Sequence, residues 1–301
     1  MALVSRNDLE ELVNCAPENM LGIVKTSGLV VLLAMALSAA RADWRVEAET
    51  GALYDSNLSN SDRTSDVKDD LAWQSNLQVG NGFQLAHDVR LNLAADLREQ
   101  VWARFDAFNN VAPGGTASLR YRFGLGRLAP WVLVEDRLSY AAFKENDRSG
   151  VDNRFRIRGG FGINERLSVE ATYTFDNYDA KSPFWDLSGN SGAIRLTFDA
   201  TSSLQVALGY LYRNGEVISY AIPPRPDLVA IASERELVNS FGSPPYMAYR
   251  LRGVTNAFSA SAGYTISKYF SVQVNYEFRN TTHGPLEYVN HLVEAKVAFA
   301  Y

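Results

Sequence analysis

The sequence predicts an all-β protein of about twelve strands, and three observations carry that prediction. Apolar and polar residues alternate with a period of two through most of the chain beyond residue 43. No part of that region sustains the 3.6-residue apolar stripe of a helix; the best candidate, 227–238, is short and flanked by prolines. The connections between the alternating segments are short and long by turns. Composition agrees: of 301 residues, 47% are apolar, 21% charged and 12% aromatic, with 15 Tyr and 15 Phe. This is neither the signature of disorder nor that of a helical membrane protein. A formal net charge of −5 argues against nucleic-acid binding by the whole chain.

The first 42 residues read as an address. Lys25 precedes the apolar run from Leu29 to Leu37, and Ala40-Arg41-Ala42 supplies a small-x-small end, as in a secretory signal cleaved before Asp43. The apolar stretch is shorter than the roughly 17–25 residues of a spanning helix. The polar segment 1–19 is unlike the start of such a signal, so it reads as a mis-started extension with Met20 as initiator. Residues 43–301 then form one domain. The single Cys15 falls in the removed part, which leaves no disulfide framework, thiolate metal site or cysteine nucleophile. No cofactor or metal site is expected.

Taken in order, the predicted strands are 44–54, 70–80, 83–102, 110–126, 131–143, 152–163, 167–178, 186–198, 204–219, 249–264, 269–279 and 287–301. The alternation is sharpest in Phe270, Val272, Val274, Tyr276 and Phe278, interleaved with Ser271, Gln273, Asn275 and Glu277. It recurs in Leu167 to Phe175, and in Phe155, Ile157 and Phe161 against Arg154, Arg156 and Arg158. Asn81-Gly82 is the strongest hairpin signal and places a short turn between the second and third strands.

An even strand number, strands of roughly ten residues and long/short alternation of connections predict a single transmembrane, antiparallel, up-and-down β-barrel. Short turns face the periplasm and longer loops the exterior. Only closure satisfies every backbone group in lipid. Aromatics near strand ends fit interfacial girdles: Trp44, Phe83, Trp131 and Phe198 at the short turns, Tyr54, Trp73, Tyr140 and Phe278 at the long loops. The chain ends with alternating apolar residues Val293, Val297 and Phe299 and a terminal aromatic, Tyr301. This resembles the C-terminal assembly signal of Gram-negative outer-membrane proteins, a porin-like class. The resemblance implies a bacterial outer-membrane location, insertion by the outer-membrane assembly machinery through Tyr301, and contact with outer-membrane lipid and lipopolysaccharide.

If the apolar phase faces lipid, the other phase lines the interior. It carries Arg90, Arg120, Arg122, Arg137, Arg154, Arg156, Arg158, Arg195 and Arg279, joined by Arg45, Arg98, Arg213 and Lys296. The inward acids are Glu47, Glu49, Asp88, Asp96, Glu135, Glu170, Glu277 and Glu294, fewer than the bases. Arg154, Arg156 and Arg158 form a ladder of about 7 Å per step beside Glu135 and Arg137. Such a line attracts carboxylates and phosphates, which predicts passive diffusion of small anionic solutes. An Arg–Glu network that merely braces a non-conducting structural, adhesive or scaffolding barrel is the other open reading. Twelve strands with arginine tracks resemble the oligogalacturonate- and sialic-acid-specific porins, by architecture alone.

Catalysis is not expected. Twelve-stranded lipid-modifying barrels use His with Ser or Asp, whereas His87, His283 and His291 have no serine on a shared strand face. In 55–69, Asp55, Asn57, Ser59 and Ser61 alternate like Ca²⁺ ligands but lack the EF-hand Gly and Glu, so the segment reads as a solvated acidic loop. The longest loop, 220–248, is shouldered by prolines; it either folds into the mouth or stands outward.

Overall fold

In a computed structural model, residues 44–301 except 285 are described; the expected leader 1–42 lies outside them. Thirteen strands follow one another: β1 (Arg45–Asp55), β2 (Asp70–Ala86), β3 (Val89–Trp102), β4 (Asn110–Arg122), β5 (Trp131–Phe143), β6 (Gly150–Gly162) and β7 (Leu167–Ala180). Then come β8 (Leu187–Asp199), β9 (Leu204–Ala221), β10 (Glu234–Val238), β11 (Tyr246–Thr265), β12 (Phe270–His283) and β13 (Leu286–Ala300). Each strand of the wall pairs antiparallel with the next, β9 pairs directly with β11, and β13 pairs with β1. The seam runs from Glu47 opposite Ala300 to Asp55 opposite Leu292. Backbone bonds of 2.9 and 3.0 Å between Val46 and Tyr301 finish it. The result is a closed twelve-stranded antiparallel barrel, with β10 an extra strand beyond the wall.

The alternation places side chains as the pleat demands. On β6, Ile157 and Phe161 are exposed on the outer face, while Arg154, Arg156 and Arg158 are half-buried inside. Asp136 breaks the outer pattern: it stands exposed between Val134 and Leu138, accepting a 3.3 Å hydrogen bond from Asn153 Nδ2.

Two sequence expectations about this frame are corrected. Asn81-Gly82 does not turn the chain. Both lie inside β2, opposite Leu93 and Asn92, and the turn falls at His87-Asp88, after a register shift between Gln84 and Ala86. Gly82 instead lies beside the guanidinium of Arg90 from the next strand. The strand needs the extra residues to carry Phe83 and Leu85 to the short-turn end of the outer face. Trp131 is not in the outer girdle either. It sits opposite Arg122 and Gly160, on the inner face, with the Arg120 guanidinium 4.8 Å above its ring.

The long connections close over one end of the barrel. The segment between β9 and β11 is structured, with a one-turn helix α1 (Pro226–Ile231) followed by β10, which folds back onto β11. Phe241 is the hub of a buried aromatic cluster, its ring centroid 4.9 Å from Phe105, 5.2 Å from Phe108, 5.1 Å from Tyr220 and 5.0 Å from Tyr246. Phe184, Trp185 and Leu58 join the cluster, so four connections contribute to one cap. Arg225 is buried within it, donating to Asp62 at 2.9 Å and Asp227 at 2.7 Å, with Asp66 3.8 Å away. Of the two readings of 220–248, the one that folds over the mouth holds.

The acidic segment 55–69 is not a solvated loop. Asp55, Asn57, Ser59, Ser61 and Asp66 are buried and satisfied from within the protein. Asp55 accepts from the Asn57 N–H at 2.9 Å and from Asn290 Nδ2 at 3.1 Å; Asn57 Oδ1 accepts from Ser59 and Ser61. The alternating oxygens therefore bond the chain to itself and to β13.

Two outcomes follow. Hydrogen bonds from Arg225 hold the Asp227 carboxyl at about 2. Its unfolded value is near 3.9, so this stabilisation is complete above about pH 4 and is lost as pH falls through about 2. Pepsin should leave 222–245 uncut at pH 4 and cleave it near pH 2. Asp136→Leu removes a carboxylate from the lipid-facing surface. It should raise the urea midpoint for unfolding from liposomes, corresponding to about 1 kcal/mol.

Candidate functional site: the barrel interior

Residues of β1 to β9 and of β13 surround a cavity of about 610 Å³ at mid-barrel. Its wall carries Arg98, Arg137, Arg154, Arg213 and Lys296 together with Glu49, Asp152, Asp176 and Glu294. Both signs are present, and most members are paired. Arg137 is the anchor, 2% exposed. Its Nη2 lies 2.6 Å from Asp96 Oδ2, its Nε 3.2 Å from both Asp96 oxygens, and its Nη1 2.8 Å from Ser139 Oγ. The pair reaches from β5 to β3 over β4, and Gly114 makes that passage possible: a Cβ there would come within 3.2 Å of Arg137 Nη2. Arg98 lies 3.7 Å from the same Asp96, and Arg213 2.8 Å from Asp176.

The ladder Arg154, Arg156, Arg158 stands inside as its spacing predicts, but its charge is largely matched. Glu135 reaches both Arg156 at 3.4 Å and Arg158 at 3.2 Å, while Arg154 lies 3.7 Å from Asp152. Asp152 and Asp176 were absent from the inward acids read from sequence. Both share the inner phase with Arg154 and Thr174, and Arg154 faces Asp176 in register. Extending the alternation two residues along β6 and β7 would have found them. The excess of positive charge is thus smaller than the sequence count implied.

Towards the short-turn end the balance changes. Arg90 and Arg120 face each other in register across β3 and β4, and Arg122 stands opposite Trp131. Among the described residues no carboxylate pairs with Arg90, Arg120 or Arg122. Cations two residues apart on one strand and directly opposed on the next therefore share the inner wall beside Trp131. Of the remaining predicted residues, Arg195 donates to Ser261 Oγ at 2.9 Å, and Arg279 pairs with Glu277.

The three histidines lie in separate places. His87 is at the β2–β3 turn, and His291 on the outer face has Nδ1 2.8 Å from the Tyr276 hydroxyl. His283 is buried near the cap end, stacked on Tyr288 at 5.5 Å.

The architecture is thus a closed twelve-stranded antiparallel barrel with a charged, cavity-bearing interior, a fold that known outer-membrane channels share. No protein-family model matches it, and no curated protein matches it. Among solved structures, an outer-membrane channel from Pseudomonas putida F1 is similar over 87% of this chain and 97% of its own, with 9% identity and a TM-score of 0.57. The NanC porin is similar over 84% of this chain and 98% of its own, at 12% identity and a TM-score of 0.44. An anion-selective porin from Comamonas acidovorans covers 86% and 98%, at 7% identity and a TM-score of 0.42. At 9% identity the likeness to the Pseudomonas channel is one of fold.

Removing one member of the buried pair is the informative perturbation. Arg137→Ala leaves Asp96 buried beside a more distant cation and should destabilise the barrel by about 3–5 kcal/mol. Replacing the pair together, Arg137→Met with Asp96→Leu, should restore most of the loss. Urea unfolding in liposomes reads both.

Proposed function

We propose that this chain is an outer-membrane channel for passive diffusion of small anionic solutes. The observation that carries this reading is the group Arg90, Arg120 and Arg122, set on the inner wall without paired carboxylates. Guanidiniums in a low-dielectric wall raise the local concentration of anions and lower the barrier to their entry. Above them the ladder of Arg154, Arg156 and Arg158, shared with Glu135 and Asp152, offers weaker and exchangeable partners. A solute carboxylate or phosphate displaces one protein carboxylate at a time, which keeps binding shallow enough for release.

The same reading places the protein in the bacterial outer membrane, among its lipid and lipopolysaccharide. The terminal strand serves as recognition element for the assembly machinery. Tyr301 supports this: its backbone closes the seam to Val46, and its ring stacks on Tyr269 at 5.7 Å, at the edge where an inserting strand would be read.

One observation favours a second reading, a non-conducting barrel with a structural or adhesive role: the cap of four connections covers the long-loop end. Conductance of the refolded 43–301 chain in a planar bilayer separates the two. Steady openings with anion preference under a salt gradient are expected. Arg90→Gln, Arg120→Gln and Arg122→Gln together should reduce that preference several-fold. The same change at Arg154, Arg156 and Arg158 should reduce it less. A folded but silent barrel supports the second reading instead.

A further inference from the structure

Beneath the cap lies a second cavity, of about 340 Å³, whose character differs from the charged mid-barrel space. Trp102, Phe108, Phe143, Tyr178, Trp185 and Tyr220 supply six aromatic rings to its wall. No carboxylate lines it, and Arg148 is the one charged group that does, among the described residues. Arg148 is buried and fixed: its Nη2 donates to Ser240 Oγ at 2.7 Å, and its Nε lies 2.7 Å from Glu145. Its guanidinium carbon stands 4.0 Å from the Trp185 ring centroid and 4.5 Å from that of Phe108.

The independent clue is Trp185. It is 4% exposed, it lines this cavity, and its indole N–H has no hydrogen-bond partner. A buried donor left unpaired is unfavourable, and an acceptor entering the cavity would pair it. Gln100, Asn110, Phe143, Tyr178 and Leu187 line both this cavity and the mid-barrel one, so the two adjoin on the side away from the cap.

We infer that this chamber is a binding site for a small aromatic carboxylate, one ring bearing one anionic group. The volume sits at the lower end of ligand sites, which span roughly 300–1,000 Å³, and suits one substituted ring. The ring stacks edge-on or offset among the aromatic walls. The carboxylate accepts from the Trp185 N–H and gains from the Arg148 charge. A sugar fits poorly, because its many hydroxyls would be buried against rings that offer few partners. The proposal deepens the anion-channel reading by naming a solute class, and it rests on that reading only for passage, not for binding.

Calorimetric titration of the folded full-length barrel in detergent tests it, with benzoate, toluene and acetate as probes. Benzoate should bind saturably, and toluene and acetate at least tenfold more weakly. Trp185→Phe and Arg148→Gln should each weaken benzoate at least tenfold. Because Arg148 also holds the cap, Leu187→Trp is the second variant: it adds bulk to the chamber wall, leaves both donors in place, and should abolish binding. Folding of each variant is checked by heat-modifiable gel migration. Absence of saturable benzoate binding, equal binding of toluene, or indifference to Leu187→Trp overturns the site. Benzoate binding by a barrel that does not conduct keeps the site and removes the channel reading; conduction without benzoate binding does the reverse.

Discussion

A backbone amide left unpaired in lipid costs several kcal/mol, and nothing in a bilayer core can pair it except the chain itself. The seam between β1 and β13 meets that demand, and the rest of the molecule depends on it. Once the sheet closes, alternation has only two destinations, lipid and interior. Every inward side chain is then gathered into one narrow space. The density of charge inside is a consequence of closure as much as of composition.

Closure also explains why two of the interior charge pairs skip a strand. Arg137 meets Asp96 across β4, and Arg213 meets Asp176 across β8. In a curved wall, residues two strands apart converge towards the axis, and a glycine or small residue between them leaves the path clear, as at Gly114. Such links brace the wall against collapse, but they consume guanidiniums. The paired ladder on β6 and the unpaired group at Arg90, Arg120 and Arg122 therefore occupy one interior with different chemical availability.

Period-two alternation and loop asymmetry made the barrel, its strand number and the inner phase legible, because the pleat converts sequence parity directly into facing. What stayed illegible depends on contacts between distant segments. Asn81-Gly82 carries a turn dipeptide, yet Gly82 accommodates Arg90 from the next strand, and the membrane-facing Phe83 and Leu85 keep the strand going. The acidic 55–69 reads as solvated because Arg225 and Asn290, which bury it, are more than 150 positions away. Trp131 looks interfacial until the opposing Arg122 and Gly160 fix its side of the sheet. The aromatic chamber was invisible for the same reason: Trp102, Trp185 and Tyr220 belong to three different hairpins.

The cap has a bearing on the order of events during folding. Its core draws Leu58, Phe105, Phe184 and Phe241 from connections spread over most of the barrel domain. Contacts so far apart in sequence form late, after the intervening loops have been closed by strand pairing. Phe241 has no aromatic cage until Phe105 and Phe108, beyond β3, meet Tyr220 of β9 from across the mouth of the barrel. The lid is thus the last layer to set, and its burial marks a wall in which no hairpin is missing.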